Sequence, residues 1–480
     1  MMPGPTFRLP EHTAERLVMI THREPFRVVK RHGEPASVER TPGGLTAALE
    51  PAMREVPGLW ISAEPRRGQD LASIESSVES LPYAWRPVPY SDELYEGFYL
   101  GFSNRALWPL YHDLLGMTAY ERAEWNAFVS VNEHFAEVTH QSLAENDFVW
   151  AHDYQLSLLP EYLRRKGLPA GCRIGFFLHI PFPNYDLFRT LPWAREILRG
   201  MLGSSLVGFH VEEYCYNFFE CVEQLLGLYC DRLRGRVWLK DRFVHVRAIP
   251  IGIDAESMYE TVQTPAVQKH SSRIRREIGA PYVLIGVDRL DYTKGIVERL
   301  YALDSFFQRF PHRRGQVAMV QIAVPSRGGI DRYQELREKI ERLVGHINGL
   351  YARPDWTPLT FMCRSLPFEE LAAFYHAADV ALVTPLRDGM NLVAKEFVAA
   401  HHDNGGVLLL SELAGAAQQL TEAELLNPYH VDATAETLEH ALQLPLEVQQ
   451  RRMRTMNAKI RRFDVRHWLE SFLNEGLYVD

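Results

Sequence analysis

The chain has 480 residues, of which 46% are apolar, with 52 Lys and Arg against 61 Asp and Glu. Such a length predicts a globular protein of several domains, at roughly 100–200 residues per domain, and excludes a mini-protein held together by cross-links. The formal charge of −9 comes without a broad basic surface, so nucleic acid is not an expected partner.

The five cysteines include no C-x-x-C pair and no Cys/His spacing of a zinc site. We therefore expect reduced core thiols in a cytoplasmic protein. The first apolar run, Leu17–Ile20, is too short for the core of a signal peptide. Because no run reaches about 18 apolar residues, no membrane span and no membrane partner are expected.

Short apolar runs rich in β-formers alternate with stretches of helical period along the first half of the chain, which is typical of parallel sheets covered by helices. The predicted strands are Arg16–Ile20, Asp147–Ala151, Arg173–His179, Ser205–His210 and His245–Ile251. The predicted helices include Gln155–Lys166 and Glu212–Leu226. The polar segment 255–272 has little periodicity, and we predict that it is a linker.

A second alternating series follows this segment. Its predicted strands are Tyr282–Val287, Gln316–Val324, Leu359–Cys363, Val380–Thr384 and Val407–Leu410, and its helices include Tyr333–Val344 and Phe368–Ala378. The pattern predicts an α/β fold with two doubly wound domains facing a central cleft. Because ligands bind outside the carboxyl ends of parallel strands, the residues that follow each strand are the candidates for a site.

Two cations lie in the turn after the strand Tyr282–Val287. Arg289 offers paired donors to phosphate oxygens, and Lys294 adds a compact point charge before the next helix. The turn therefore suits an anionic ligand, although exposed loop cations are more often only solvated.

A second turn follows the strand Val380–Thr384, where Asp388-Gly389 breaks the apolar run and a helix starts. The free N–H groups of Met390, Asn391, Leu392 and Val393 would form an anion site at the helix N-terminus. Glu396 is expected about two turns into this helix, where its carboxylate could accept hydrogen bonds from a ribose diol.

The first half carries similar signals. Pro42-Gly43-Gly44 is predicted to open a helix and repeats the anion-site logic. Two neighbouring strands end in Asp153 and His179, which we expect at a shared sheet edge.

Several motifs are missing from the sequence. The chain has no G-x-G-x-x-G, no G-x-x-x-x-G-K-[ST] and no G-x-S-x-G, which disfavours a dinucleotide dehydrogenase, a P-loop kinase and an α/β-hydrolase. It also has no D-x-D, so a transferase that holds its nucleotide through a metal bridged by two aspartates is not expected. Arg, Lys and a helix N-terminus would then meet the charge of a leaving diphosphate.

These residues resemble the trehalose-6-phosphate synthase family of retaining glycosyltransferases, which also holds glucosylglycerol-phosphate synthases. The likeness runs from Leu17 to about Trp468. The motifs that carry it are Phe102-Ser103-Asn104 with Leu107-Trp108-Pro109, Trp150-Ala151-His152-Asp153-Tyr154, Phe177-Leu178-His179-Ile180-Pro181-Phe182-Pro183, Arg289-Leu290-Asp291-Tyr292-Thr293-Lys294-Gly295, Pro325-Ser326-Arg327-Gly328 and the run from Thr384 to Glu396.

The resemblance implies a GT-B type fold with two Rossmann-like domains. An acceptor-binding domain would span residues 1–254 and a nucleotide-sugar-binding domain 255–460, with a final helix in 461–480 that crosses back to the first domain. On the donor side it implies that Arg289 and Lys294 hold the diphosphate, aided by the backbone N–H groups around Asn391, Leu392 and Val393, and that Glu396 binds the ribose. Asp388 and His179 would bind hydroxyls of the transferred glucose, and Gly44 would lie close to the diphosphate.

On the acceptor side, the resemblance implies that Arg23 and Arg327 bind a phosphate, that Tyr99 and Trp108 line the pocket, and that Asp153 meets acceptor hydroxyls near the reacting centre. It implies transfer of glucose from a nucleotide donor, with UDP-glucose expected, to glucose 6-phosphate. No metal and no cofactor are expected, the partners are small-molecule substrates, and a homo-oligomer is compatible with the sequence.

Three alternatives stay open. His22 stands where the synthases usually have Asn, and Ala63 where many have a second Trp, and the His22 version resembles glucosylglycerol-phosphate synthase, which uses glycerol 3-phosphate and commonly ADP-glucose. The chain could also be a catalytically silent sugar-phosphate sensor. Within an active enzyme, Asp153 could be a covalent nucleophile, although front-face attack within an ion pair is the expected route in the family.

Overall fold

The computed structural model describes residues 16–29, 37–40, 48–50, 53, 56, 58–63, 81–326, 331–401 and 405–477. The chain divides into two compact units, of which the first comprises Met1–Pro250 with Val465–Asp480 and the second Ile251–Asp464. Each unit has a central sheet of its own.

The first unit contains a nine-stranded sheet and a separate hairpin. The strands, in chain order, are β1 Arg16–Ile20, β2 Phe26–Val29, β3 Ser37–Arg40, β4 Gly58–Ala63, β5 Ala84–Val88, β6 Asp147–His152, β7 Arg173–Phe177, β8 Leu206–Phe209, β9 Cys230–Asp231, β10 Arg236–Trp238 and β11 Phe243–Ala248. The sheet order is β5-β4-β1-β6-β7-β8-β11-β10-β9, with only the β9 and β10 pairings antiparallel, and β2 pairs with β3.

Helices cover this sheet. They are α1 Asp92–Tyr95, α2 Trp108–Tyr111, α3 Arg122–His140, α4 Leu159–Lys166, α5 Tyr185–Phe188, α6 Ala194–Leu202, α7 Glu212–Leu226 and the C-terminal helix Val465–Leu477. A π-helix, Glu96–Leu107, connects α1 to α2. The C-terminal helix packs on the sheet through Phe472, whose ring stacks on Trp150 of β6 at 4.3 Å between centroids.

The second unit is built on a six-stranded, fully parallel sheet, in the order β14-β13-β12-β15-β16-β17. The strands are β12 Tyr282–Arg289, β13 Val317–Val324, β14 Leu359–Met362, β15 Val380–Val383, β16 Val407–Ser411 and β17 Glu424–Leu426. The helices are α8 Ala255–Gln263, α9 Pro265–Ile278, α10 Ile296–Arg309, α11 Asp331–Tyr351, α12 Phe368–Ala377, α13 Leu392–Ala400, α14 Val431–Gln443 and α15 Leu446–Arg462.

The linker predicted at 255–272 is wrong, because α8 and α9 occupy this segment. Each helix begins at a side-chain cap: Asp254 accepts a hydrogen bond from the Ser257 N–H, and Thr264 accepts one from the Val267 N–H. The buried positions are sparse but helical in spacing, so a small apolar stripe holds two polar helices in place.

Both sheets have a topological switch point. From β1 the chain first builds outward through β4 and β5, and then resumes with β6 on the other side of β1. The second sheet repeats this arrangement, with β12 followed outward by β13 and β14 before β15 returns beside β12. Ligands of doubly wound sheets bind at the carboxyl ends of the strands at such points, which here are β1 with β6 and β12 with β15.

None of the helices in the described ranges is long and apolar enough to cross a membrane. The five cysteines are free, as predicted, but only three of them are buried, since Cys172 and Cys363 are partly exposed.

Candidate active site

The carboxyl ends of β12 and β15 bring together a buried cation and a carboxylate. Nζ of Lys294 lies 2.5 Å from Oδ2 of Asp388, and both side chains are almost fully buried. The turn that carries Lys294 closes at Gly295, where φ is +62° and a Cβ atom would lie 2.0 Å from the carbonyl oxygen of Thr384. Only glycine fits this close approach, and it fixes Lys294 against the end of β15.

A fully buried arginine, Arg299, lies next to this pair. Arg299 of α10 donates to Asp288 at 2.5 Å and to Gln321 at 2.8 Å, and its Nε donates to Thr384 at 3.0 Å. Burial raises the pKa of Asp288 in spite of the guanidinium. The network connects β12 and β13 with Thr384, the residue that follows β15, and so ties three segments together beside the site.

The helix α13 follows β15 in the chain, and Asn391 is its N-cap. Asn391 has a φ of 76°, its Oδ1 accepts from the Ala394 N–H at 3.1 Å, and its Nδ2 donates to Asp388 at 3.0 Å. Since Asn391 caps the Ala394 N–H, the N–H groups left free in the first turn are those of Leu392 and Val393. Met390 precedes the helix. The predicted helix N-terminus is therefore present after β15, and it starts one or two residues later than expected.

Glu396 lies little more than one turn into α13, not two turns as predicted, because the helix starts at Leu392. Its Oε2 accepts a hydrogen bond from the hydroxyl of Tyr375 at 2.9 Å. Burial raises the pKa of Glu396. The pKa of Tyr375 is also raised, by the burial of its own hydroxyl and by the charge of Glu396. Arg289, the last residue of β12, is partly buried at the same sheet edge.

In the first unit, Asp153 follows β6 in a strained conformation. Its φ of 74° and ψ of 166° fall in a region that residues other than glycine rarely adopt, at a cost of about 1–3 kcal/mol. The backbone is held there because the Asp153 N–H donates to Phe177 at 2.8 Å and its Oδ1 accepts from the His179 N–H at 3.2 Å. The prediction that Asp153 and His179 share a sheet edge is confirmed.

Arg23 and Tyr99 are in contact beside the end of β1. Nη2 of Arg23 donates to the Tyr99 hydroxyl at 2.8 Å, and the guanidinium is exposed. Tyr99 is buried in the π-helix, a form that recurs at functional sites. Trp108 is also buried, with its ring 5.8 Å from that of Tyr154.

The two departures from the family pattern are neighbours. The Ala63 N–H donates to the carbonyl oxygen of His22 at 3.2 Å, across the ends of β4 and β1. The ring of His22 stacks on Tyr99 at 4.6 Å, and its Nε2 lies 3.0 Å from the hydroxyl of Tyr90. His22 is therefore built into the aromatic packing that holds Tyr99.

Two predicted site residues, Gly44 and Arg327, lie outside the described residues. Two residues that build the site, Arg299 and Tyr375, were not predicted from the sequence, and His152 was named only within a motif, without a role. Arg299 could have been noticed as a lone charge among the apolar positions of α10, whereas the partners of Tyr375 and His152 come from distant segments. Within the described ranges, no group of three or more His, Cys, Asp and Glu side chains is arranged to hold a metal ion.

A model of glycosyltransferase family 20 matches residues 15–476 of the chain. The chain belongs to glycosyltransferase family 20. The family-20 fold, with its two doubly wound α/β units, is of the GT-B type, and the resemblance to the trehalose-6-phosphate synthase family is confirmed.

Individual family-20 relatives are similar over nearly the whole chain. The trehalose-6-phosphate synthase of Mycolicibacterium vanbaalenii is 42% identical over 469 residues, which cover 95% of this chain and 95% of that relative. The UDP-forming alpha,alpha-trehalose-phosphate synthase A of Dictyostelium discoideum is 39% identical over 461 residues, which cover 96% of this chain and 62% of that relative.

Solved family-20 structures agree. One from E. coli, bound with UDP-2-fluoro glucose, has a TM-score of 0.87 and 32% identity, covering 97% of this chain and 99% of that one. One from Burkholderia xenovorans, in complex with glucose-6-phosphate, has a TM-score of 0.85 and 31% identity, covering 96% and 99%. The chain is thus a glycosyltransferase of the trehalose-phosphate synthase type, and nothing in these comparisons favours the glucosylglycerol-phosphate alternative.

Proposed function

We propose that the chain transfers glucose from UDP-glucose to the anomeric hydroxyl of glucose 6-phosphate, with retention of configuration, and forms trehalose 6-phosphate. The observation that carries this proposal is the contact between Lys294 and Asp388 at the switch point of the second sheet, with Arg289 at the same edge. The UDP-glucose analogue and the glucose 6-phosphate bound to the two solved relatives support the choice of substrates.

On the donor side, we assign the diphosphate to Arg289, Lys294 and the N–H groups of Leu392 and Val393. A guanidinium, an ammonium and a helix N-terminus are each suited to phosphate oxygens. Asp388 keeps the ammonium of Lys294 oriented before the donor binds. Glu396 accepts hydrogen bonds from the ribose hydroxyls, and Gly44 is assigned to the diphosphate. The transferred glucose is bordered by Met390, Asn391 and Asp388, and His179 is a further partner of its hydroxyls.

On the acceptor side, we assign the phosphate of glucose 6-phosphate to Arg23 and Arg327, since arginine binds phosphate with paired donors. The hydrogen bond from Arg23 to Tyr99 supports this role by orienting the exposed guanidinium. Trp108 is buried against Tyr154, and we assign it to shaping the pocket from behind. Asp153 meets the reacting hydroxyls.

The reaction follows from the charge that develops. As the bond from the anomeric carbon to the diphosphate breaks, negative charge grows on the leaving oxygen, and Arg289 and Lys294 stabilise that state more than the ground state. The acceptor hydroxyl attacks on the face that the diphosphate leaves, and the leaving phosphate takes its proton. Retention then needs no protein nucleophile. Asp153 instead accepts a hydrogen bond from the acceptor.

We also propose that the reaction needs no metal ion. Two cationic side chains and a helix N-terminus meet the charge that a divalent cation neutralises in other transferases.

The proposal is tested by incubating the chain with UDP-glucose and glucose 6-phosphate, and by following UDP release together with the anomeric signals of the product in proton NMR. We expect an α,α-linked disaccharide phosphate. If the chain binds UDP-glucose but releases no UDP, whichever phosphorylated acceptor is added, the result would support the silent sensor instead. A β-linked product would contradict retention.

A further inference from the structure

Three histidines follow three adjacent strands of the first sheet: His152 ends β6, His179 follows β7 and His210 follows β8. The rings of His152 and His179 are stacked, with centroids 5.3 Å apart. Trp468 of the C-terminal helix packs against both rings. His152 is fully buried, whereas His179 is partly exposed.

The contacts of His152 determine which of its ring nitrogens carries the proton. Its Nε2 lies 2.9 Å from Sδ of Met19, a buried residue of β1, and its Nδ1 lies 3.0 Å from Nε2 of His179. A thioether sulfur can accept a hydrogen bond but cannot donate one. A bare nitrogen would meet the sulfur lone pairs, so Nε2 of His152 must carry the hydrogen.

Both rings are neutral near pH 7. Burial lowers the pKa of His152 well below its ordinary value, and the neighbouring His179 lowers it further. Burial also lowers the pKa of His179, with a smaller contribution from His210. A neutral His152 with its proton on Nε2 has a lone pair on Nδ1, and this lone pair must accept a hydrogen bond from Nε2–H of His179.

We propose that Met19 and His152 are positioning residues that fix His179 in the Nε2–H tautomer, so that Nδ1 of His179 accepts a hydrogen bond from a hydroxyl of the transferred glucose. Among the described residues, none forms a hydrogen bond with Nδ1 of His179. The inference rests on the proposed function for the identity of the ligand. The tautomer follows from the three side chains alone.

The site then selects a sugar by the direction of one hydrogen bond. A hydroxyl can donate to Nδ1 of His179, whereas a fluorine atom or an ether oxygen at the same position cannot. If His179 had the other tautomer, Nδ1–H would donate, and an acceptor at that position would be tolerated.

The tautomer is tested by nitrogen-15 NMR of the intact chain labelled at its 19 histidines. The signals of His179 are those lost in the His179→Gln variant. We expect a protonated Nε2 and an unprotonated Nδ1 in the wild type, and a mixture in Met19→Leu, which keeps the apolar volume but removes the acceptor. A protonated Nδ1 in the wild-type spectrum would overturn the proposal, whether or not the chain turns over UDP-glucose.

The functional half is tested with UDP-glucose analogues in which one glucose hydroxyl at a time is replaced by fluorine. For one position, we expect kcat/KM of the wild type to fall about tenfold, the scale of one hydrogen bond. The same replacement should cost less in His152→Phe, which lacks both nitrogens, and His152→Asn should recover part of the difference because its amide oxygen can accept from His179. KM for glucose 6-phosphate should not change. Equal losses in all three proteins, together with the expected spectrum, would show that the tautomer has no role in donor selection and would overturn this half.

Discussion

The ammonium of Lys294 lies 2.5 Å from a carboxylate oxygen of Asp388, 94 residues further along the chain. The same oxygen accepts a hydrogen bond from Asn391, the cap of α13, at 3.0 Å. One carboxylate therefore joins the cation-bearing turn after β12 to the helix N-terminus after β15. The proposed diphosphate site depends on this junction.

Variants of Lys294 and Asp388 should distinguish the effect of this ion pair on stability from its effect on turnover. Lys294→Met leaves the buried Asp388 carboxylate without its cation, at a cost on the order of 3 kcal/mol in unfolding free energy. The double variant Lys294→Met/Asp388→Asn removes both charges and should recover most of that loss. Turnover should stay at least about 10²-fold below wild type in both variants. Denaturant unfolding and UDP release measure the two effects, and a double variant that regains activity would contradict the role of Lys294.

Arg289→Ala should lower kcat about 10²-fold or more, because a guanidinium that stabilises the leaving diphosphate is lost. The unfolding midpoint should change little, since the side chain is only partly buried. Arg276→Ala, on the exposed face of α9, is the matched control and should leave turnover unchanged. Near-normal turnover in Arg289→Ala would remove this residue from the diphosphate site.

Tyr99→Phe removes the hydroxyl that accepts from Arg23 but keeps the ring that stacks on His22. We expect KM for glucose 6-phosphate to rise about three- to tenfold, the scale of one hydrogen bond, with KM for UDP-glucose unchanged. Tyr162→Phe on α4, outside the candidate site, serves as the control. A defect confined to the donor would reverse the assignment of this side of the site.

Glu396→Gln should weaken donor binding and yet stabilise the free chain. Burial raises the pKa of Glu396 above its ordinary value of 4.5, so the folded chain holds this proton more tightly than the unfolded chain does. At a pH above the raised pKa, the buried carboxylate is ionised and lowers the free energy of unfolding. This loss vanishes as the pH falls below 4.5, where the carboxyl is protonated in both states. Unfolding measured at pH 7 and pH 4 should show a gain for Glu396→Gln only at pH 7. A gain of equal size at both pH values would contradict the burial of an ionised carboxylate as its cause.

A chelator should leave turnover unchanged if Arg289, Lys294 and α13 carry the charge of the diphosphate. The rate of UDP release with and without EDTA measures this directly. Loss of activity that added Mg²⁺ restores would contradict the metal-free proposal.

Five strands of the nine-stranded sheet and five of the six strands of the second sheet were predicted, because buried parallel strands are short, apolar and followed by polar turns. The strands β4, β5, β9, β10 and β17 were missed. Glu212–Leu226 was predicted to the residue, since its apolar positions recur with helical period. The segment 255–272 was misread because its two helices bury only a narrow stripe. Propensity and capping, rather than a broad apolar face, form them.

The residues that follow switch-point strands were also predictable, because chain order indicates which sheet edge they share. The support beneath them was not. Arg299, Tyr375 and Met19 contact the site through partners from distant segments, and neither period nor spacing encodes such pairs. The strain at Asp153 and at Asn391 likewise becomes visible only in the backbone.

Transfer of glucose to glucose 6-phosphate is tested most directly by nucleoside diphosphate release from UDP-glucose and ADP-glucose, each paired with glucose 6-phosphate and with glycerol 3-phosphate. We predict turnover with UDP-glucose and glucose 6-phosphate, which would make His22 and Ala63 tolerated variations at the ends of β1 and β4. Turnover with glycerol 3-phosphate alone would contradict the account, and would make those two residues the cause of a different acceptor.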